Sequence, residues 1–188
     1  RPELVTVAVA DWPPLMELEG RQALLGPEID IRVALDGYEA GWAEADALSM
    51  AAAVARLESA DADAVFVYLG NPDETSHATG SIGEEYRSAI AEADAHVGRL
   101  VQAVRDRPGY ASEDWLILVS TDHGRRPDGG HGGDSPEEMT TFIVVSGAAA
   151  DTAIAPPTYI VDVAATALAH MGVDVEGLDG RPVGLRHR

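Results

Sequence analysis

Residues 63–77 read DAVFVYLGNPDETSH, and this stretch decides the fold class. Its first half contains a short apolar run, Ala64 to Leu69, which is typical of a buried strand. Asn71 is predicted to cap a helix that follows at once, with Pro72 at its first position. A strand that passes directly into a helix indicates an α/β fold, in which helices flank a mostly parallel central sheet.

The same alternation continues in both directions along the chain. Further strands are predicted from short apolar runs near residues 3–10, 29–35, 115–121 and 141–146. Helices are predicted from residue type and spacing over residues 43–59, 84–106 and about 160–171. The second of these helices is predicted to bury one face, made of Tyr86, Ile90, Ala93, Val97, Leu100 and Val104. No repeat or linker divides the sequence, so residues 1–188 are expected to form a single domain.

Composition excludes several classes of function. Acidic residues number 32 against 13 basic residues, and the formal net charge is −19, which makes nucleic acid a poor partner. Apolar stretches fall far short of the roughly 20 residues that a membrane span needs. There is no cysteine, so disulfides and thiolate metal sites are excluded. The composition does not indicate in which cellular compartment the protein acts.

Carboxylates and imidazoles gather in loops that follow predicted strands. Asp73 and His77 stand four residues apart in a predicted helical turn, so their side chains project from one face with room for a cation. Asp122 and His123 follow the strand over 115–121, and open α/β sheets bind ligands beyond the carboxyl ends of their strands. The alternative for this second pair is a helix cap and a surface histidine.

A third loop, residues 129–133, reads GGHGG, and its glycines let the backbone pass close to an ion while His131 points at it. Oxygen and nitrogen ligands without sulfur suit zinc, or manganese, in a catalytic role. The remaining histidines, His96, His170 and His187, are interpreted as structural or solvent-exposed. Glu137 and Glu138 are interpreted as surface or helix-cap residues.

Long stretches of the chain resemble the alkaline phosphatase superfamily, within it the type I phosphodiesterase and nucleotide pyrophosphatase branch. The resemblance lies in DAVFVYLGNPDETSHATG, SIGEEYRSAIAEADAHVGRL, WLILVSTDHGRRPDGGHGGDSPEEMTTFIVVSG, YIVDVAATALAHMGV and DGRPV, which run in order over residues 63–183. It implies a metal-dependent hydrolase of phosphate esters, whose substrate is a phosphodiester, a nucleotide or a phosphomonoester. It also implies two divalent ions about 4 Å apart that clamp the phosphoryl group.

The resemblance assigns ligands residue by residue. It implies that Asp73, His77 and His131 bind the first ion, and that Asp122 and His123 bind the second. We expect all five side chains to converge beyond the carboxyl edge of the sheet. The family's serine or threonine nucleophile, with one more aspartate ligand, precedes the region that is matched. We therefore expect the chain to be the C-terminal part of a longer hydrolase domain that lacks its N-terminal part.

Three further expectations concern substrate binding, the alternative functions and self-association. Arg125 and Arg126 follow the Asp122–His123 pair and are candidates for binding the substrate anion, the alternative being a solvated loop pair. A non-catalytic metal-binding or partner subunit that keeps the fold is the main alternative function, and sulfate ester hydrolysis is a weaker one. An uncovered sheet edge left by the missing part predicts self-association into a homo-oligomer.

Overall fold

The computed structural model describes residues 3–16, 23–59 and 62–186. The chain divides into two compact units. Unit 1 comprises Arg1–Gly109 together with the short segment Pro127–Gly130, and unit 2 comprises Tyr110–Arg126 and His131–Arg188. The assignment of residues 1–188 to one domain stays a prediction, and His187 lies outside the described residues.

Unit 1 is built on a parallel sheet of three strands in the order β2–β1–β3. These strands are β1 (Thr6–Ala10), β2 (Ile31–Ala34) and β3 (Ala64–Val67). Val9 of the central strand lies opposite Val33 on one side and Val67 on the other. All three predicted strands of this unit are confirmed, and together with the flanking helices they confirm the α/β class.

The described part of unit 1 contains five helices: α1 (Pro13–Met16), α2 (Gly37–Ala40), α3 (Trp42–Glu58), α4 (Asn71–Thr79) and α5 (Glu84–Arg105). The helices predicted over 43–59 and 84–106 correspond to α3 and α5. Helix α3 packs against β1 and β3, and α5 packs against both α3 and α4. The helix that carries Asp73 and His77 is therefore supported by the longest helix of the unit.

The central strand is buried on both faces, as expected for a parallel strand between two neighbours. Val7 and Val9 form one core cluster with Ala53 and Ala62. Ala8 and Ala10 face the other way and form a second cluster with Met16. Both faces of β1 therefore contribute apolar side chains to the core.

Helix α5 buries a face that overlaps the predicted one only in part: of the six predicted residues Val104 is buried, whereas Tyr86, Ala93, Val97 and Leu100 are half-buried. Ile90 is 45% exposed, although the spacing predicted it to be buried. The buried positions are Ala89, His96, Ala103 and Val104. The prediction chose the larger apolar residue, whereas the packing against α3 and α4 selects the small side chain of Ala89 and the imidazole of His96.

Unit 2 contains a 3₁₀ turn (Tyr110–Ser112), strands β4 (Leu116–Ser120) and β5 (Ile143–Gly147), and helices α6 (Pro136–Met139) and α7 (Val161–His170). The two strands pair antiparallel, with Val119 opposite Val144. Helix α7 packs against β4 and is followed by Gly172 at φ 71°, the left-handed conformation predicted for that glycine. Among the described residues, no helix combines the length and apolar character that crossing a membrane requires.

Buried polar groups tie the chain that follows α7 back to this helix. Asp162, 1% exposed, accepts hydrogen bonds from the backbone N–H of Tyr159 at 2.8 Å and of Arg181 at 2.9 Å. The hydroxyl oxygen of Thr166 accepts from the N–H of Val183 at 3.0 Å. Side chains of α7 therefore hold residues 181–183 in place.

The predicted self-association stays a prediction.

Candidate metal centre

Helix α4 begins a few residues after β3 ends, so its first turn lies beyond the carboxyl edge of the parallel sheet. Asp73 and His77 occupy one face of this helix, as their spacing predicts. His77 Nε2 lies 3.2 Å from Asp73 Oδ2. The Asp73 side chain is 24% exposed and that of His77 is 40% exposed, so a solvent-borne ion can reach both. One carboxylate oxygen and one imidazole nitrogen are thereby presented as a pair.

The start of α4 differs from the prediction. Asn71 is the first helical residue and not the cap, which is Gly70. The Asn71 side chain instead accepts from the Thr75 hydroxyl at 3.1 Å and donates to Glu92 at 3.4 Å. A side chain at Gly70 has no room, because its Cβ would lie 2.6 Å from the indole ring of Trp42. A helix start without a local cap needs acceptors from elsewhere.

Two aspartates from other elements supply those acceptors. The backbone N–H of Gly70 donates to Asp46 Oδ1 at 2.9 Å and to Asp11 Oδ1 at 3.1 Å. The N–H of Asn71 donates to Asp46 Oδ1 at 3.2 Å. Sequence reasoning missed both aspartates as contributors to the site. Asp11 follows β1 as directly as Asp122 follows β4, so the same rule about strand ends pointed to it.

The first half of the glycine-rich loop packs on α4 within unit 1. The N–H of Ser81 donates to the carbonyl oxygen of Pro127 at 3.1 Å. Gly129 has φ 89°, and a Cβ there would lie 1.9 Å from the carbonyl oxygen of Ser76. Only glycine permits this approach of two backbones. The segment that ends at Gly130, to which His131 is bonded, is therefore anchored on the helix that carries Asp73 and His77.

Alanine at Gly129 is expected to lower zinc affinity by roughly 10-fold or more, because the loop must move away from α4 and the left-handed backbone adds strain of about 1–3 kcal/mol. Alanine at Gly132 is the matched control, since its φ is 95° but nothing lies within 4 Å of the added Cβ. Isothermal titration with Zn²⁺ of both variants measures the difference. Equal effects of the two substitutions would contradict the packing argument.

In unit 2, Asp122 and His123 follow the end of β4. The hydrogen bond of 2.9 Å between His123 Nδ1 and the carbonyl oxygen of Gly124 requires Nδ1 to carry the proton. In the neutral ring Nε2 is then an acceptor, which is the arrangement seen in metal-binding histidines. His123 Nε2 lies 3.7 Å from Asp122 Oδ1. The pair thus presents a second carboxylate with an oriented imidazole.

The imidazole of His131 stacks on that of His123, with ring centroids 3.9 Å apart and ring planes 12° from parallel. Within unit 2 the structure therefore brings together three of the predicted ligands: Asp122, His123 and His131. The convergence of all five predicted side chains on one centre stays a prediction.

Arg126 and Glu138 form an ion pair, with an Arg126 guanidinium nitrogen 3.3 Å from Glu138 Oε1. Glu138 is buried and also accepts from the Ser135 hydroxyl at 2.6 Å and the N–H of Gly133 at 3.0 Å. The Ser135 hydrogen bond, then the Gly133 amide, hold the pKa of Glu138 below its usual value. Its contact with the helix-capping Ser135 agrees with the helix-cap interpretation. Substrate binding by Arg125 and Arg126 stays a prediction.

An open cleft of about 460 Å³ lies beside α4 in unit 1. Its lining includes Asn71, Thr75 and three glutamates, Glu84, Glu85 and Glu92. Three carboxylates repel a phosphate group. This cleft is therefore not assigned to the phosphoryl group of a substrate.

The chemistry of the donors fits a divalent ion. Within each unit, carboxylate oxygens and imidazole nitrogens stand close enough to act together, and the chain contains no thiolate. Such mixed oxygen and nitrogen sets suit zinc or manganese in catalytic sites. The other two described histidines are structural: His96 is buried on α5, and His170 Nε2 lies 2.7 Å from the carbonyl oxygen of Asp114.

Open α/β sheets bind ligands beyond the carboxyl ends of their strands, and in unit 1 the Asp73–His77 pair stands at that edge of a parallel sheet. The family model of type I phosphodiesterase / nucleotide pyrophosphatase matches residues 7–154, which is more than half of the chain. The chain therefore belongs to the type I phosphodiesterase / nucleotide pyrophosphatase family, of the alkaline phosphatase superfamily. The family implies phosphoric ester hydrolysis and is typically metal-dependent. A search of curated proteins gave no match to the chain.

Proposed function

We propose that the chain is the metal-binding part of a phosphate ester hydrolase with a two-metal site. In this proposal Asp73, His77 and His131 bind one divalent ion, and Asp122 and His123 bind a second. The observation that carries it is the Asp73–His77 pair of 3.2 Å on α4, in a chain of a phosphodiesterase family. Zinc is the first choice of metal and manganese the second, because no thiolate is available.

The proposed binding of His131 to the first ion is supported by its place in the sequence, directly after Gly130. Gly130 ends the segment that packs on α4, and His131 is the next residue. The second ion is supported by the proton on His123 Nδ1, which leaves Nε2 as the acceptor nitrogen.

The bound ions would supply positive charge beside the transferred phosphoryl group and its leaving oxygen. The chain's own residues orient that chemistry: α4 fixes the first ligand pair, and Gly124 orients His123. Arg125 and Arg126 are proposed to contact the substrate anion, with Arg126 kept in place by Glu138. The substrate is proposed to be a small phosphodiester, nucleotide or phosphomonoester, with the nucleophile supplied from upstream of residue 1.

Two other functions compete with this proposal. A non-catalytic metal-binding or partner subunit would keep the ligands but turn over no ester. A sulfate ester hydrolase would turn over sulfate esters in preference to phosphate esters. Elemental analysis of the purified protein, beside a panel of chromogenic phosphate monoesters, phosphodiesters and sulfate esters, separates the three. Phosphate ester turnover by a longer chain that carries the upstream segment, abolished by chelator and restored by zinc, supports the proposal. Bound metal without any turnover by that longer chain contradicts it.

The first site is expected to bind Zn²⁺ more tightly than the second. Asp73, His77 and His131 provide three protein ligands, whereas Asp122 and His123 provide two, and each ligand adds a bond and an electrostatic attraction. Calorimetric titration of the metal-free chain should resolve one strong site followed by a weaker one. Two equally strong sites, both lost in His123→Ala, would mean that another residue completes the second site.

A further inference from the structure

A pair of buried carboxyl groups lies at the start of α4, outside the proposed metal ligands. Asp11 follows the central strand β1 and is 0% exposed, and Asp46 on α3 is 1% exposed. Carboxyl groups are rarely buried this completely unless something compensates their charge. The compensation must come from the groups that surround the pair.

One backbone amide connects the two carboxyl groups. Because the N–H of Gly70 donates to Oδ1 of both aspartates, at 3.1 Å and 2.9 Å, the two carboxyl groups stand side by side. Asn71 adds a second N–H to Asp46 Oδ1 at 3.2 Å. These two amides can stabilise one negative charge, and Asp46 receives the larger share of their hydrogen bonds.

The other Asp11 oxygen is the unusual feature. Asp11 Oδ2 is buried and, among the described residues, accepts no hydrogen bond. A buried acceptor without a partner is rare, because it loses its hydration without replacement. A proton on Asp11 would turn one of its carboxyl oxygens into a donor, and the Asp46 carboxylate, whose side chain lies within hydrogen-bond reach of the Asp11 side chain, is an acceptor.

The charged groups that face the pair do not supply a full counterion. His96 on α5 is a basic group that acts on Asp46, and its pKa is lowered, first by burial and then by Arg99, against the opposing effect of Asp46 and Glu92. Arg99 contacts His96, and Glu92 adds another negative charge. From the start of α4 the pair meets the backbone amides of Gly70 and Asn71.

We propose that Asp11 and Asp46 hold one proton between them, with Asp11 donating to Asp46, and that this acid–carboxylate pair positions the first turn of α4. The pair then replaces the side-chain cap that Gly70 cannot carry. Both aspartates are positioning residues, because they act on Asp73 and His77 through the backbone of α4. The consequence for metal binding rests on the proposed function, whereas the shared proton does not.

The proposal fixes a pH dependence. Burial, together with Asp46, raises the pKa of Asp11 to about 8, and burial also raises the pKa of Asp46. An unfolded Asp11 would ionise at its ordinary value of 3.8, so folding at neutral pH takes up a proton. The contribution of this proton to the free energy of unfolding is therefore complete below about pH 4, and it is lost as pH rises to about 8. Above that pH two like charges lie buried side by side.

The direct test is a carboxyl ¹³C NMR titration of the metal-free chain, labelled at the aspartate side chains and kept in chelator. The expected result is one aspartate signal pair that titrates near pH 8 and disappears in Asp11→Asn. If every aspartate titrates in the ordinary range, or if the pair responds to added Mg²⁺ or Na⁺ and not to pH, a proton is not shared and the proposal fails. This readout does not depend on zinc binding or on hydrolysis.

Matched variants test which residue holds the proton. Asparagine at Asp11 mimics the protonated acid, because its amide can donate to Asp46, so the melting temperature of Asp11→Asn relative to wild type should rise between pH 5 and 8 and then level off. Asp46→Asn should melt lower than Asp11→Asn at pH 7, because it removes the charge that accepts two amides. A constant gap between Asp11→Asn and wild type at all pH values, or the reverse order of the two variants, would overturn the assignment.

Zinc affinity tests the positioning role. The ratio of wild-type to Asp11→Asn affinity should fall as pH rises from 7 through about 8.5, since only the wild-type pair loses its proton. A ratio that stays constant while the NMR titration is found would reject the positioning of α4 and leave the shared proton intact. Absence of zinc binding in both proteins would reject the proposed metal site instead.

Discussion

Alanine in place of His77 should lower the affinity of the first site for Zn²⁺ by roughly 100-fold or more. Loss of a residue that only supports a ligand already costs about 10–100-fold, and His77 is a proposed ligand itself. The expected loss is measured by titration of the metal-free protein with Zn²⁺ against a competing chelator.

The matched control for this variant is His170→Ala. His170 also lies at the end of a helix, but its ring meets the carbonyl oxygen of Asp114 at 2.7 Å and has no part in the proposed site. Its replacement should leave zinc affinity within about twofold of wild type. Retention of tight zinc binding by a folded His77→Ala protein would remove this histidine from the ligand set.

The 188-residue chain by itself should hydrolyse a chromogenic phosphodiester only at a trace rate, even with zinc bound. The expected deficit is roughly 10³-fold or more relative to the same chain joined to an upstream segment that carries the nucleophile. Removal of a covalent nucleophile commonly costs this much, because one difficult step is no longer divided into two easier ones.

This deficit is measured from the steady-state rates of the 188-residue chain (the short chain) and of the same chain joined to the upstream segment. The His131→Ala variant of each gives the rate that does not depend on the metal site. Residual turnover of the short chain should depend on zinc. Robust turnover by the short chain, lost in both His77→Ala and His131→Ala, would mean that a nucleophile lies within residues 1–188.

Patterns that depend on neighbouring residues were predicted well from the sequence. Over the described residues, β1 to β5 and the helices α3, α5 and α7 lie where apolar runs and helical spacing indicated. The i, i+4 pair of Asp73 and His77 is a property of a single helix, so its geometry followed from the spacing. Gly172 likewise adopts the left-handed conformation that its place after a helix predicts.

Features that depend on contacts between distant segments were missed. Asn71 was predicted to cap α4, but Trp42 leaves room only for glycine at the cap position, and Asp46 accepts the amides from another helix. The burial of Asp46 and His96 depends on how α3, α4 and α5 pack together, and helical spacing alone gives no information about this packing. Local patterns identified the proposed ligands but not the groups that position them.

X-ray absorption at the zinc edge, on the chain loaded with one equivalent of Zn²⁺, identifies the atoms that bind the ion. We expect oxygen and nitrogen donors at about 2.0 Å, with the scattering of two imidazoles. One imidazole should be lost in His77→Ala and one in His131→Ala. A shell of oxygen donors without imidazole, or a spectrum that neither substitution changes, would contradict the proposed metal site.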